Sequence, residues 1–422
     1  MLKDIVLKQK QEKEQFLSRK YIERTNEPFG RKWVKSDLIK VVLGPRRSGK
    51  SVFCFMLLKD RPFMYFNFDD EIVISKDGLK TDDLMKELHL AYGKTKNILF
   101  DEIQNLPQWE LFANRLHREG YNLVLTGSNA NLLSRELSTA LTGRHIPIEI
   151  LPFDFKEFLR AKNFKADLKS ALAKKHSTLL KLLNEYLTNG GFPEIVVKNL
   201  DSKDYLEVLF DSLLFKNVVK RHKVKFSTNI DNLGSYLINN FASPYTLRKL
   251  QNVLDLKSVT TTEKYTKYLE EAYLIFSLLR YSPKSSQRIK SPKKVYVVDN
   301  GFISAKAVQH SPDTGKLLEN LVFIELVKRG LEPNQDLFYY KTRNNREVDF
   351  VLRKGKVITE LVQVVYELNN PKTEQREIKA LIEASQELKT KNLTIITWNE
   401  KKEVEKDNLT INFIPVWERF LG

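Results

Sequence analysis

The chain has 422 residues, of which 42% are hydrophobic and 29% charged, and its 70 Lys+Arg against 53 Asp+Glu leave a formal charge of +17. That composition excludes a disordered chain, and the length exceeds what one core of ~250 residues holds, so two to four domains are expected. The positive surplus suits polyanionic partners such as nucleic acid, or else a lysine-rich surface laced with ion pairs.

The first third alternates short apolar runs with helical patterns. "LIKVVLG", "PFMYFNFDD", "NILFDEI", "YNLVLTGSN" and "HIPIEILPF" have strand length, and "TDDLMKELHLAYG" has helical spacing, so residues 1–155 are expected to form a parallel α/β sheet. Residues 156–226 turn helical, with "DFKEFLRAKNF", "SALAKKHSTLLKLLNEYLTNGG" and "DYLEVLFDSLLFKNVVKRH". Residues 227–295 read as three short helices and two strands joined by the basic "PKSSQRIKSP", the order of a winged helix. Residues 296–422 run helix, three strands, helix, strand, a compact α/β unit of its own. Cys54 is the single cysteine, which excludes a disulfide framework and fits a reducing compartment, and the six histidines show no ligand spacing. No run nears the ~20 apolar residues of a membrane span and "MLKDIVLKQKQEKEQF" lacks a signal-peptide core, so a cytoplasmic protein with no membrane partner is expected.

"GPRRSGKS" fits G-x-x-x-x-G-K-[ST] between a β-branched strand and a helix. In the loop of Gly44, Pro45, Arg46, Arg47, Ser48 and Gly49 the glycines would let backbone N–H groups turn toward phosphate, Lys50 would reach the β/γ-phosphates, and Ser51 would ligate Mg²⁺. Asp101 and Glu102 end the apolar strand "NILFDEI"; Asp101 suits the metal's water shell and Glu102 suits the attacking water. Thr126, Ser128 and Asn129 close the next strand, on the side where ligands bind in open α/β sheets. Arg144 precedes the fifth strand and can supply positive charge in cis or across subunits, or be a surface arginine. No NKxD guanine-reading motif stands in a suitable place, so ATP is expected rather than GTP.

These residues resemble the prokaryotic AAA-type ATPases whose P-loop domain is followed by a C-terminal DUF4143 region. The stretches that carry the likeness are "VVLGPRRSGKS", "ILFDEIQNLPQWE", "LTGSNANLLSRELSTALTGRHIPIEILPFDFKEF", "NGGFPEIV", "KVYVVDNGFI", "GKLLENLVFIEL" and "REVDFVL", spread from about residue 38 to 400. The resemblance implies ATP and Mg²⁺ at Lys50, Ser51, Asp101 and Glu102, and a polar sensor at Ser128 or Asn129. It also gives weight to Arg144.

The last unit resembles the PD-(D/E)xK nuclease fold. Glu319, Glu347 and Asp349 match acidic positions, but in "ITELVQVVYEL" the acid-x-Lys pattern falls on Gln363, Val364 and Val365. Lys354 or Lys356 would have to replace the missing lysine, and a vestigial site of Glu319, Glu347, Asp349 and Gln363 is the expectation. Lys284, Arg288, Lys290, Lys293 and Lys294 are read as phosphate contacts of the wing. Three functions follow: an ATPase acting on DNA or RNA, a signalling ATPase switching a protein partner, and an active ATP-dependent nuclease.

Overall fold

The computed structural model describes residues 2–70, 79–129, 141, 143–165, 176–225, 227–307, 313–368 and 371–422. It divides into two compact units, Met1–Phe153 and Asp154–Gly422. The stretch "LTGSNANLLSRELSTALTGR" and the start of "SALAKKH" fall largely outside the described residues.

In the first unit, β1 (Ile39–Leu43), β2 (Phe63–Asn67), β3 (Asn97–Asp101), β4 (Asn122–Gly127) and β5 (His145–Glu149) form one parallel sheet in the order β2-β3-β4-β1-β5. The near-continuous apolar runs reflect burial on both faces. Along β1, Ile39, Val41 and Leu43 enter one hydrophobic cluster and Val42 the other, as the two-residue period requires. Lys40 also lies inside, donating to Ser36 O at 3.0 Å and to Asn122 Oδ1. The opening segment is a helix, Leu2–Leu17, that the sequence reading left unassigned. Its Ile5 and Val6 are buried, and its Gln9 amide bonds both ways to the Asn67 backbone, at 3.1 and 2.9 Å. β2 is an edge strand, so this side chain satisfies backbone groups that a further strand would otherwise take.

The second unit packs together what the sequence divides at residues 226 and 295. Helices His176–Asn189 and Ser202–Leu213 precede Ser227–Asn239, Leu247–Val253 and Val259–Glu271. A three-stranded antiparallel sheet follows in the order β6-β8-β7, from β6 (Ser243–Tyr245), β7 (Ile275–Leu278) and β8 (Lys293–Val297). The basic joint between β7 and β8 is itself a short helix, Ser285–Lys290, with no buried residue. Helix Thr314–Lys328 is buried at every position from Leu317 to Val327, which explains its lack of a polar face.

β9 (Leu337–Lys341), β10 (Glu347–Lys354), β11 (Val357–Val365), β12 (Leu393–Thr397), β13 (Lys402–Lys406) and β14 (Leu409–Pro415) form a mixed sheet ordered β13-β14-β12-β11-β10-β9. β11 runs antiparallel to β10 and parallel to β12. Helix Pro371–Leu388 covers one face. The β13–β14 hairpin and helix Val416–Leu421 extend the expected order by three elements.

Candidate nucleotide site and C-terminal carboxylate cluster

The loop after β1 enters helix Lys50–Leu58. Gly44 has φ +147°, and a Cβ there would lie 2.0 Å from the Ile150 carbonyl oxygen, so glycine alone permits this close passage. Arg47 and Gly49 are left-handed, at φ 65° and 94°, the alternation that builds an anion-binding backbone nest. Arg24 braces the loop from below, donating to Ser48 O at 2.8 Å and Leu151 O at 2.6 Å. Lys50 is 4% exposed; it donates to Pro45 O at 2.9 Å and stands 3.8 Å from Glu102 Oε1. Burial pulls its ammonium below the ordinary value, and Glu102 and Asp101 oppose that pull.

Asp101 and Glu102 stand together at the end of β3. Burial pushes the Asp101 carboxyl up, helped by the Glu102 charge and resisted by hydrogen bonds from Thr126 and Ser51. The Thr126 hydroxyl donates to Asp101 Oδ1 and accepts the Glu102 backbone N–H at 2.9 Å. Burial acts on Glu102 too, but Lys50 and Arg46, with hydrogen bonds from Gln104 and Ser128, hold its carboxyl below the ordinary value. Glu102 is left-handed, φ 51° and ψ 45°, a strained backbone of the kind that concentrates at working sites. Arg46 is held by Asp69, with Nη1–Oδ2 at 3.2 Å and Nη2–Oδ1 at 3.3 Å.

Ser128 and Asn129 are buried just past β4, on the same sheet edge. Arg144 is elsewhere. It immediately precedes His145, which pairs with Ile39 at the start of β1, whereas the phosphate loop follows Leu43 at the other end. Arg144 is level with the residue before Ile39, six residue steps from Gly44, which puts it roughly 20 Å away along the sheet. The cis alternative for Arg144 is therefore corrected: it stands exposed at the edge opposite its own chain's loop.

The Ser48 hydroxyl is buried without a hydrogen-bond partner beneath a glycine cradle, and beside it lies a buried ammonium. Those features suit a chain of phosphates, and the Ser51 hydroxyl against the Asp101 carboxylate suits an octahedral, oxygen-preferring cation.

In the second unit Glu319, on helix Thr314–Lys328, meets Glu347 and Asp349 on β10, as the spacing suggested. Between them lies Lys294 of β8, 1% exposed, with Nζ 2.6 Å from Glu319 Oε1, 2.7 Å from Glu347 Oε1 and 3.5 Å from Asp349 Oδ1. This corrects the reading of Lys294 as a wing contact to phosphate. Asp349 sits where the β10–β9 pairing shifts, between Val348 and Val351, a bulge that re-aims its side chain. Burial pushes the Asp349 carboxyl well up, reinforced by Glu319. Gln363 accepts the Asp349 N–H at 3.2 Å and donates to Glu377 Oε2 at 2.8 Å. Val365 belongs to the hydrophobic core. Lys354 and Lys356 flank the β10–β11 turn, exposed and roughly 17 Å along the strand from Asp349, so neither replaces the missing lysine. Glu360 is engaged by Thr394 and Arg419, at 2.6 and 2.7 Å.

Three family models match successive parts of the chain. An AAA domain model matches residues 36–159, the domain of unknown function DUF8612 matches 180–313, and DUF4143 matches 314–418. An uncharacterized protein of Methanocaldococcus jannaschii is 39% identical over 395 residues, covering 90% of this chain and 87% of its own length. An uncharacterized protein of Haemophilus influenzae is 31% identical over 398 residues, covering 90% and 94%. The chain belongs to the AAA-type P-loop ATPase family with a C-terminal DUF4143 region. Among solved structures, a Walker-type ATPase of Pyrococcus abyssi is similar at TM-score 0.45 and 16% identity, covering 68% of this chain and 96% of that one. The Thermotoga maritima RuvB Holliday junction branch migration motor is similar at TM-score 0.33 and 16% identity, covering 65% and 99%.

Three residues of this AAA–DUF4143 chain escaped sequence reasoning. Gln104 holds the Glu102 carboxylate from two residues downstream. Glu377 touches Gln363, and its position four residues before buried Leu381 on the apolar stripe of its helix was a usable signal. For Lys294 the usable signal was the apolar "VYVV" that follows, which marks a strand whose alternation turns one of two adjacent lysines inward. Among the described residues no helix is long and apolar enough to cross a membrane.

Proposed function

We propose that this AAA–DUF4143 protein binds ATP with Mg²⁺, hydrolyses it, and uses the nucleotide state to govern contact with nucleic acid. The observation that carries the reading is the buried Lys50 ammonium beside an ionised Glu102 and a Ser51–Asp101 pair at one strand edge. Lys50 and the loop amides would hold the phosphates, and Ser51 and Asp101 would hold Mg²⁺. The metal supplies charge that neutralises phosphoryl oxygens. Glu102, kept ionised, is suited to orient water and take its proton, with Thr126 fixing the adjoining backbone. Ser128, bonded to Glu102, and Asn129 are suited to report the γ-phosphate. Arg144 would serve the site of another copy.

The nucleic-acid part rests on charge. No acidic residue occurs between Glu271 and Asp299, a stretch carrying Arg280, Lys284, Arg288, Lys290 and Lys293 besides the buried Lys294. Lys284 and Lys290 are exposed on and beside the short helix Ser285–Lys290. Three helices and a β6-β8-β7 sheet around that element support a winged-helix reading of residues 227–295. The PD-(D/E)xK-like reading of the mixed sheet is kept as an order of elements without cleavage, because Lys294, Gln363 and Val365 stand where a metal site and its lysine would be.

Measuring ATP turnover with DNA, RNA or neither tests the reading. Nucleic acid should stimulate it, binding should weaken with salt, and neither DNA nor RNA should be cut in Mg²⁺ or Mn²⁺ beyond an Asp349→Ala control. Turnover indifferent to nucleic acid, with no salt-dependent binding, would favour the switching of a protein partner. Exposed Val197, Val208 and Phe215 in the helical layer give that second reading its support.

A further inference from the structure

The PD-(D/E)xK-like order of elements implies a divalent metal among Glu319, Glu347 and Asp349, and the donor set does not fit one. Among the described residues no group of three or more acidic, histidine or cysteine side chains is arranged to hold a metal ion. The obstacle is Lys294. An ammonium has three N–H donors, and three carboxylate oxygens from three residues lie within 3.5 Å of this one. The carboxylates are occupied from behind as well: Tyr296 O–H donates to Glu319 Oε1 at 2.6 Å, Lys341 approaches Glu347 Oε2 at 3.5 Å, and the Val364 N–H reaches Asp349 Oδ2 at 3.0 Å.

We infer that the Lys294 ammonium is the resident cation of this carboxylate cluster, taking the position a divalent metal would take, and that it clamps the β7–β8 hairpin to the C-terminal sheet. Three carboxylates drawn together without a cation would repel one another at low dielectric, so the cluster needs one, and the chain supplies it from β8. The neighbouring contacts are built around the same strand. Asn320, the residue after Glu319, accepts the Val297 N–H at 2.8 Å and donates to Val297 O at 2.9 Å. The Tyr296 ring stacks on Phe323 with centroids 4.0 Å apart. Strand alternation sends Lys294 inward, while Lys293, one residue earlier, stays at the rim with the basic helix Ser285–Lys290. Nucleic acid drawn to Lys284 or Lys290 would therefore pull on a hairpin anchored by Lys294. The clamp goes beyond the ATPase reading and does not depend on it.

Full-length protein without nucleotide, titrated with Mn²⁺ and followed by spin resonance and thermal unfolding, tests this. Wild type should show Mn²⁺ uptake that Asp349→Asn leaves unchanged. Lys294→Met should lose on the order of 10 °C in the transition of the C-terminal unit, as expected when one partner of a buried ion cluster is removed. The same variant should gain one Mn²⁺ per chain, recover stability with it, and lose that ion when Asp349→Asn is added. Wild-type Mn²⁺ binding abolished by Asp349→Asn would overturn the inference, as would a Lys294→Met protein that is fully stable or that unfolds early yet takes up no Mn²⁺. Should Lys294→Met fail to fold, adding Glu319→Gln and Glu347→Gln removes two charges with the cation and should restore folding; continued failure would mean charge balance is not the role of Lys294. ATP turnover, read in parallel, separates failure here from failure of the nucleotide site.

Discussion

Replacing Glu102 by glutamine separates binding from chemistry at the nucleotide site. The carboxylate and the Lys50 ammonium lie 3.8 Å apart, both largely buried. At that separation their attraction is about 4 kcal/mol for an effective dielectric near 20. Glutamine keeps the shape and removes the charge, so Lys50 loses its internal partner and becomes freer for phosphate. If about a third of the attraction reappears as phosphate affinity, ATP binds roughly tenfold more tightly. Hydrolysis should fall on the order of 10²- to 10⁴-fold, the usual worth of a positioned general base. A fluorescent-nucleotide titration gives the first quantity and phosphate release the second, with Lys50→Ala as the comparison that loses binding outright. Unchanged turnover in Glu102→Gln, or loss of ATP binding as complete as in Lys50→Ala, would refute the division of roles.

Arg144→Ala should lower turnover with little effect on ATP affinity, and mixing it with Lys50→Ala protein should restore part of the rate, since the latter still offers Arg144 to a neighbouring site; unaltered turnover would make Arg144 a surface arginine. Lys284→Gln with Lys290→Gln should flatten the salt dependence of nucleic-acid binding by about two units of log–log slope, read by fluorescence anisotropy. Burial holds Lys40 down at about 8, below its ordinary 10.5, so between those pH values the unfolded chain carries a proton that the folded chain lacks. Stability of the first unit should therefore rise with pH across that window, by about 3 kcal/mol from this residue at 1.36 kcal/mol per unit, and Lys40→Met should remove that part of the rise in denaturant titrations at pH 7 and pH 10.

The first unit was legible because its signals are local. A parallel sheet buried on both faces writes itself as apolar runs, and a phosphate loop needs glycines at fixed offsets, so Gly44, Gly49, Lys50, Asp101 and Glu102 could all be picked out by spacing. Arg144 shows where locality ends. Its motif is visible, but the side of the sheet it occupies depends on the β1–β5 register, and that register appears only when Ile39 and His145 are paired. The helix Leu2–Leu17 escaped for a related reason: its anchors are distant in sequence, from Gln9 bonding a strand edge 58 residues away to Lys13 donating to Phe63 O and Phe16 stacking on Phe55.

In the C-terminal unit the carboxylates were legible and their cation was not. Glu347 and Asp349 share a strand and Glu319 an adjoining helix, so element order alone brings them together. The missing lysine was sought at Lys354 and Lys356, nearest in sequence, because a hairpin turn is the shortest route back to β10. Chain distance was the wrong measure. Lys294 precedes Glu347 by 53 residues and arrives on a different sheet, held there by Asn320 and Tyr296. A pair of adjacent lysines on a strand always sends one to each face, and β8 has a buried face toward helix Thr314–Lys328. The inward one needs hydrogen-bond acceptors for its ammonium: buried Lys40 finds a backbone carbonyl and an amide oxygen, and Lys294 finds three carboxylates. Lys293–Lys294 followed by "VYVV" was therefore a demand for acceptors on the buried face of β8, and the three carboxylates otherwise read as a metal site are the group that meets it.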